Sequence, residues 1–208
     1  MGAATNAGRA RAALIAPGGA SLCLDYANTR CWRGLERPTE TLQRPADLID
    51  WCARAGLLAA PPRSMTPGAA ATLFAEAIAL REVIYCALSA LAAGGSISAS
   101  DLSVLNAAIA RAPRRRRIAQ QGGQYAWQVD APARAAPPSA PQLLAAIVWS
   151  AADLIVAARG NRIRQCANDA CQWLFLDASR NASRRWCDMS ACGNRAKARR
   201  HYLKQRQG

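Results

Sequence analysis

The chain has 208 residues, 51% of them hydrophobic and 19% charged, enough for one domain of ordinary size with a small appendage and incompatible with a disordered polymer. Its most apolar run, Leu143 to Ala158, is broken by Ser150 and Asp153, so no stretch reaches the roughly 20 apolar residues of a membrane span. The net charge is +14 and unevenly placed: residues 159–208 hold 12 Lys+Arg against Asp169, Asp177 and Asp188, or +9, while the first 158 residues carry +5. Such clustering predicts a polyanion contact near one end. A GC-rich codon bias accounts for 25 of the 27 cations being arginine, but not for where they lie.

In chain order, the N-terminus has two arginines followed by a short apolar stretch, too weak a pattern for a secretory signal, and a cytoplasmic protein is expected. Residues 72 to 95 place Leu73, Ala77, Leu80, Ile84, Leu88 and Leu91 three or four apart, which predicts an amphipathic helix stopped by Gly94 and Gly95. Ser98 or Ser100 then caps a second helix whose buried stripe is read as Leu102, Leu105 and Ile109, ended by Pro113. Residues 117 to 130 surround Gln121-Gly122-Gly123 and predict a β-hairpin with Ile118, Tyr125, Trp127 and Val129 facing inward. A loop over 131–141 leads to a helix from about Gln142 to Ala158 with Leu143, Ile147, Leu154 and Ile155 in the core. The expected fold is thus mainly α with a small β-hairpin, an α+β domain over 1–158, followed by a small treble-clef-like zinc finger over 159–208.

The eight cysteines divide into two groups. Cys23, Cys31, Cys52 and Cys86 sit singly among apolar neighbours and are read as small buried hydrophobes. Cys166, Cys171, Cys187 and Cys192 form two pairs, each with four intervening residues, a spacing that matches a tetrahedral Zn²⁺ site and leaves disulfides as the alternative. Asn168 and Asp169 supply turn chemistry inside the first pair, and "QWLFLD" reads as a short strand with Trp173, Phe175 and Trp186 as an apolar floor. Ser190 is the expected cap of a basic helix running to about Gln205, with Cys192 in its first turn.

The segment "RQCANDACQWLFLDASRNASRRWCDMSACGNRAKARRHY" resembles the CGNR zinc-finger family, named for the residues found here as Cys192, Gly193, Asn194 and Arg195. The stretches "LCLDYANT", "DLIDWCARAGL", "ALREVIYCALSAL", "DLSVLNAAIARA" and "WSAADLI" are similar to the ABATE domain that usually precedes this finger, a stress-induced transcription regulator. The resemblance implies one structural Zn²⁺ and a DNA-binding regulator.

The residues themselves point the same way. Asn194, Arg195, Lys197, Arg199, Arg200 and Lys204 make a helix positive on most sides, unsuited to a core and suited to phosphates, with Arg180, Arg184 and Arg185 as a second cluster, or with Arg184 or Arg185 as a brace against Asp177 or Asp188. Asn194, Arg195 and Arg199 are the candidates for base edges. RNA binding with Trp173 or Tyr202 stacking on bases, and a protein-interaction module with a purely structural zinc, are the alternatives. The run Arg114 to Arg117 is read as a solvated loop, His201 as no ligand, and Asp25 and Asn28 as caps or as polar groups of an effector pocket. No nucleophile–base–acid set, phosphate loop or dinucleotide fingerprint is present, and four thiolates close a metal to substrate, so an enzyme is not expected. A homodimer through the N-terminal domain would supply paired half-sites.

Overall fold

The computed structural model describes residues 12–15, 22–58, 65–121, 123–130, 139–157 and 162–206; at 12–15, 121, 124, 130, 199–201 and 203–204 it describes the backbone only. In order, these residues form β1 (Ala12–Ile15), α1 (Leu22–Ala27), β2 (Arg30–Cys31), β3 (Thr39–Glu40), α2 (Pro45–Arg54), α3 (Pro67–Ala92), α4 (Ala99–Arg111), β4 (Arg117–Gln121), β5 (Gln124–Asp130), α5 (Ala140–Leu143), α6 (Ala145–Val156), β6 (Ile163–Gln165), β7 (Leu174–Leu176), a π turn (Met189–Gly193) and α7 (Asn194–Gln205). The mainly helical fold with small antiparallel strand pairs is the one expected from the sequence. The loop expected over 131–141 and the joint before residue 162 lie largely outside the described residues.

Helix α3 is the axis of the molecule. Its N-terminus precedes the first predicted position because Thr66 caps it, accepting the Ala69 N–H, and Pro67 supplies a preset φ at the first turn. It ends where Gly94 turns left-handed at φ 76° and the Gly95 N–H reaches back to the Ala90 carbonyl. Its buried stripe of Leu73, Ala77, Leu80, Ile84 and Leu88 packs against α1, α2 and α4, and α6 closes the core from α1 and α4.

Several finer expectations are corrected. In α4 the buried residues are Leu105 and Ala108, followed by Ala112, whereas Leu102 is 44% and Ile109 39% exposed. Two alanines let the helix approach its neighbours closely, and the larger residues are displaced to its flank. The hairpin forms as expected, with Ile118 paired to Trp127, but Ile118 and Tyr125 are 62% and 63% exposed. Alternation put them on the right face; only the Val129 end of that face is covered, by Ala112, Ala145 and Trp149. A third strand, β1, pairs with β5 and carried no sequence signal. The helix read over 142–158 is two, because a first turn capped at Ser139 ends at Leu144 before α6 begins. Of the scattered cysteines, Cys23 and Cys52 are buried, but Cys31 is only half-buried and Cys86 is exposed on the outer face of α3.

Candidate metal centre and the adjoining basic surface

The short hairpin β6–β7 launches the first pair of thiols. Ile163 pairs with Leu176 and Gln165 with Leu174, and the Cys166 N–H continues the ladder by donating to the Trp173 carbonyl at 2.8 Å. Between the cysteines, Asn168 closes the turn: its carbonyl accepts the Cys171 N–H and its side-chain oxygen the Ala170 N–H, while its Nδ2 lies 3.6 Å from the Cys192 sulfur. The second pair is delivered by the link. Buried Asp177 accepts the Ser179 and Arg184 backbone N–H groups at 2.9 and 2.8 Å, folding the link back on β7. Hydrogen bonding by Ser179 is the main reason its carboxyl is held below the ordinary value.

The cap of the last helical segment is Asp188 rather than Ser190. Its Oδ1 accepts both the Ser190 and Ala191 N–H groups, and the chain makes one π turn through Cys192 before α7 starts at Asn194. Ser190 has the right residue type but stands two positions inside the turn, where its hydroxyl donates to the same carboxylate. Gly193 leaves room for the end of the Met189 side chain, which a Cβ would meet at 2.9 Å and which, being half-exposed, can swing aside.

The four sulfurs converge. All lie within 4.8 Å of one another, with Cys171 and Cys187 at 3.7 Å and Cys187 and Cys192 at 3.8 Å. Four sulfurs each about 2.3 Å from a tetrahedral zinc stand about 3.8 Å apart, whereas a disulfide needs about 2.05 Å, so the geometry fits the metal and removes the disulfide alternative. The titration behaviour agrees. Burial works to raise the Cys166 thiol, but N–H donors from Cys187 and Asn168 outweigh it and leave the thiol below its ordinary value. Burial, then the charge on Cys166, pushes Cys171 up to about 12, and burial and Cys171 push Cys187 up as well. Thiols this close cannot all ionise alone, and a divalent cation removes that conflict.

The predicted cations are used differently from one another. The Arg184 guanidinium donates to the carbonyls of Trp186 and Cys187 and lies over the Phe175 ring, so it braces the finger across its exposed side, with no ion pair to the Asp177 or Asp188 carboxylate. Arg185 lies over Trp186 at 5.5 Å, and Arg195 over Trp32 at 4.6 Å. Asn194 donates to the Ser190 carbonyl at 3.0 Å, and Lys197 is exposed. Arg199, Arg200 and Lys204 lie within α7, their side chains and that of His201 outside the described residues. In the earlier run, Arg115 pairs with Asp153 and lies over Trp127 and Trp149.

Two family models match this chain. One, described as "Putative stress-induced transcription regulator" and called ABATE, matches residues 20–158. The chain belongs to the ABATE family. The CGNR zinc finger matches residues 162–205, and its four cysteines are those that converge here, so the finger holds one structural zinc. No curated protein matches. The first family is of a regulatory type and the second of a zinc-finger type, and together they make the chain a zinc-binding regulator. Among the described residues no helix is long and apolar enough to cross a membrane.

The ABATE domain and the CGNR finger share a core, which the sequence did not announce. Ile163 and Leu174 of the finger are buried in the same cluster as α1, α3 and α6. Asn28 of "LCLDYANT" behaves as a strand partner: its Nδ2 donates to the Leu174 carbonyl at 2.8 Å and its Oδ1 accepts the Leu174 N–H at 3.0 Å. Asp25, by contrast, points to the exposed side of α1. Tyr85 of α3 accepts from Gln165 and donates to the Gln172 carbonyl.

The turn after β2 reaches furthest. Trp32 packs against the thiol cluster and the Gly34 N–H donates to Ala170 at 3.2 Å. Trp32 and Gln172, on the two sides of this seam, both hold left-handed φ values of 55° and 56°. A charge cluster anchors the turn to α3. Arg81, 1% exposed, forms a two-pronged pair with Glu40 and also reaches Thr29 and Glu82, while Arg33 pairs with Glu82 and stacks 3.7 Å over Tyr85. No local pattern marks Trp32, Gly34 or Arg81, because the groups they serve are far away in the chain.

Proposed function

We propose that this protein is a DNA-binding transcription regulator in which the zinc centre fixes the start of α7 and presents Asn194, Arg195, Lys197, Arg199, Arg200 and Lys204, with Arg185, to a nucleic-acid backbone. The supporting observation is the position of that helix: it begins two residues after a metal-ligating cysteine, carries no acidic residue in its 12, and opens with exposed Asn194, Arg195 and Lys197. Six cations each neutralising one phosphate give a slope of log affinity against log salt of about −5.4 on duplex DNA. The test is a salt titration of the zinc-loaded chain on random duplex, with zinc content and a chelated control measured on the same sample. Tight binding by the metal-free protein would sink the reading. Exposed Trp173 and Tyr202 favour RNA as the second reading, and single-stranded RNA that outcompetes duplex DNA would establish it. One zinc per chain with no nucleic-acid binding at low salt would move the role to an acidic protein partner.

Within this reading the chain is cytoplasmic and divides near residue 158 into a sensing or association unit and the finger. An apolar cavity of about 150 Å³ between α3, α4 and α6, lined by Leu80, Val104, Leu144 and Val148 with Glu76 and Arg111, is where an effector would enter, and its volume admits only one smaller than a drug-sized ligand. Exposed Leu102 and Ile109, seven residues apart on α4, are where a second copy would pack, and Leu102→Glu should abolish any dimer seen by sedimentation.

A further inference from the structure

Beside the metal centre lies a cleft of about 620 Å³, bounded by Gly34 from the ABATE domain and by Asn168, Asp169, Arg185, Trp186 and Arg195 from the finger. Its breadth comes from small residues, and its volume falls within the roughly 300–1,000 Å³ of sites that enclose a drug-sized ligand, far more than a bare phosphate fills. Two guanidiniums face it, and neither has a carboxylate partner among the described residues. Each is held instead by an indole, Arg185 by Trp186 and Arg195 by Trp32. A guanidinium stacked flat on an indole keeps its in-plane N–H donors for phosphate oxygens, and neither Arg185 nor Arg195 has a carboxylate to compete for them among the described residues. Asp169 is the single carboxylate on the lining, a hydrogen-bonding partner for a base edge rather than for a phosphate, while the Asn168 amide beside it is engaged by the Ala170 N–H and the Cys192 sulfur.

We propose that this cleft binds one nucleotide, its phosphate at Arg185 and Arg195 and its base against the Trp186 wall. The nucleotide is either free or unstacked from a nucleic-acid strand; only the second source rests on the function proposed above. Because Gly34 closes one side and Trp32 holds Arg195, the site is completed by the ABATE domain, and ligand there ties the two units together.

The test uses the zinc-loaded full chain in calorimetric titrations with adenosine monophosphate, adenosine and inorganic phosphate, and in anisotropy titrations with a paired duplex and the same duplex carrying a one-nucleotide bulge. For a free nucleotide, adenosine monophosphate binds at least tenfold tighter than adenosine or phosphate. For a strand nucleotide, the bulged duplex binds at least tenfold tighter than the paired one. In either case Arg185→Gln removes the preference, and Trp186→Phe keeps it where Trp186→Ala loses it, with zinc content unchanged in the Arg185→Gln and Trp186→Phe chains. Salt-dependent binding of both duplexes with no bulge or mononucleotide preference overturns the cleft and leaves the basic-helix reading standing. Mononucleotide binding without duplex binding supports the cleft and overturns that reading. Full preference retained by Arg185→Gln overturns the assignment outright.

Discussion

Replacing Gly34 with alanine should pull the ABATE domain from the finger without touching a metal ligand. A Cβ on Gly34 would stand 1.7 Å from the Asp169 carbonyl oxygen and 2.7 Å from its carbon, both backbone atoms with no rotamer to escape into. Restoring a contact of about 3.0 Å requires the turn and the knuckle to part by more than about 1 Å. The Gly34–Ala170 hydrogen bond is then lost, at about 1 kcal/mol. The stack of Arg195 on Trp32, about 0.5–1 kcal/mol, loosens with it. With the disturbed packing of Trp32 on the thiols, the total is about 2–3 kcal/mol, which lowers Tm by about 5–10 °C in a chain of this size. Calorimetric melting reads the first effect, and zinc transfer to a coloured chelator, expected to quicken about tenfold for each 1.4 kcal/mol, reads the second. Gly34 is not among the glycines with positive φ, so backbone strain does not contribute. Gly68→Ala, in the first turn of α3 with no atom within 4 Å of the new Cβ, is the control and should be neutral or slightly stabilising. A Gly34→Ala chain that melts within about 1 °C of its parent and releases zinc at the same rate would refute the seam.

Cys187→Ser should reduce bound zinc from one per chain to almost none and lower Tm as well, because strands next to the metal are part of the main core; elemental analysis and calorimetry on one sample check both. Asn28→Ala orphans a buried N–H and carbonyl of Leu174 and should cost about 2–4 kcal/mol in denaturant unfolding, and Asn28→Asp, which retains the acceptor but not the donor, should rescue little. Burial works to raise the Glu40 carboxyl, but its hydrogen bonds to Arg81 outweigh it and the folded value lies below the ordinary 4.5; Glu82 is lowered likewise by Arg33. Their contribution is therefore complete above about pH 4.5 and is lost as pH falls through the folded values, so stability should decline on acidification below that point. Glu40→Gln should lower stability at pH 7 and flatten the acid limb; an unchanged limb would show that Glu40 is not part of it.

Local chemistry was legible and long-range chemistry was not. The four thiols, the Asn168 turn, the Ser98 helix start and the Gly94 stop each depend on residues within a few positions, where spacing is a direct record of geometry. Four of the errors share one cause. Periodicity assigned Ile118, Tyr125, Leu102 and Ile109 to faces, and a face is buried only as far as something covers it. Asn28 illustrates the limit: its type is that of a turn or cap residue, and its structural work is done on Leu174, 146 positions later. Arg81 was hidden within an apolar helical stripe, and its burial follows from Glu40 on β3, 41 positions earlier, together with its neighbour Glu82 on α3.

The seam also changes what zinc does for this protein. In a free-standing finger the metal would hold only its own loops, since so small a unit buries too little apolar surface to fold alone. Here the finger has a second support, because Asn28, Tyr85 and Gly34 hold β7 and the first knuckle to the ABATE core whether or not the second pair of cysteines is in place. The part that depends most on metal is the segment after Asp188, which among the described residues is tied to the first knuckle and the ABATE turn by Cys192, with Asn168 against its sulfur, and by the contact of Arg195 with Trp32. Metal removal should therefore release α7 first and the core later. Conversely, any event that shifts the Arg81–Glu40–Glu82 cluster moves Trp32, and with it the residue on which Arg195 rests. The orientation of the basic helix is thus set from two directions, by the thiolates beneath its first turn and by an ABATE turn that is itself anchored on α3.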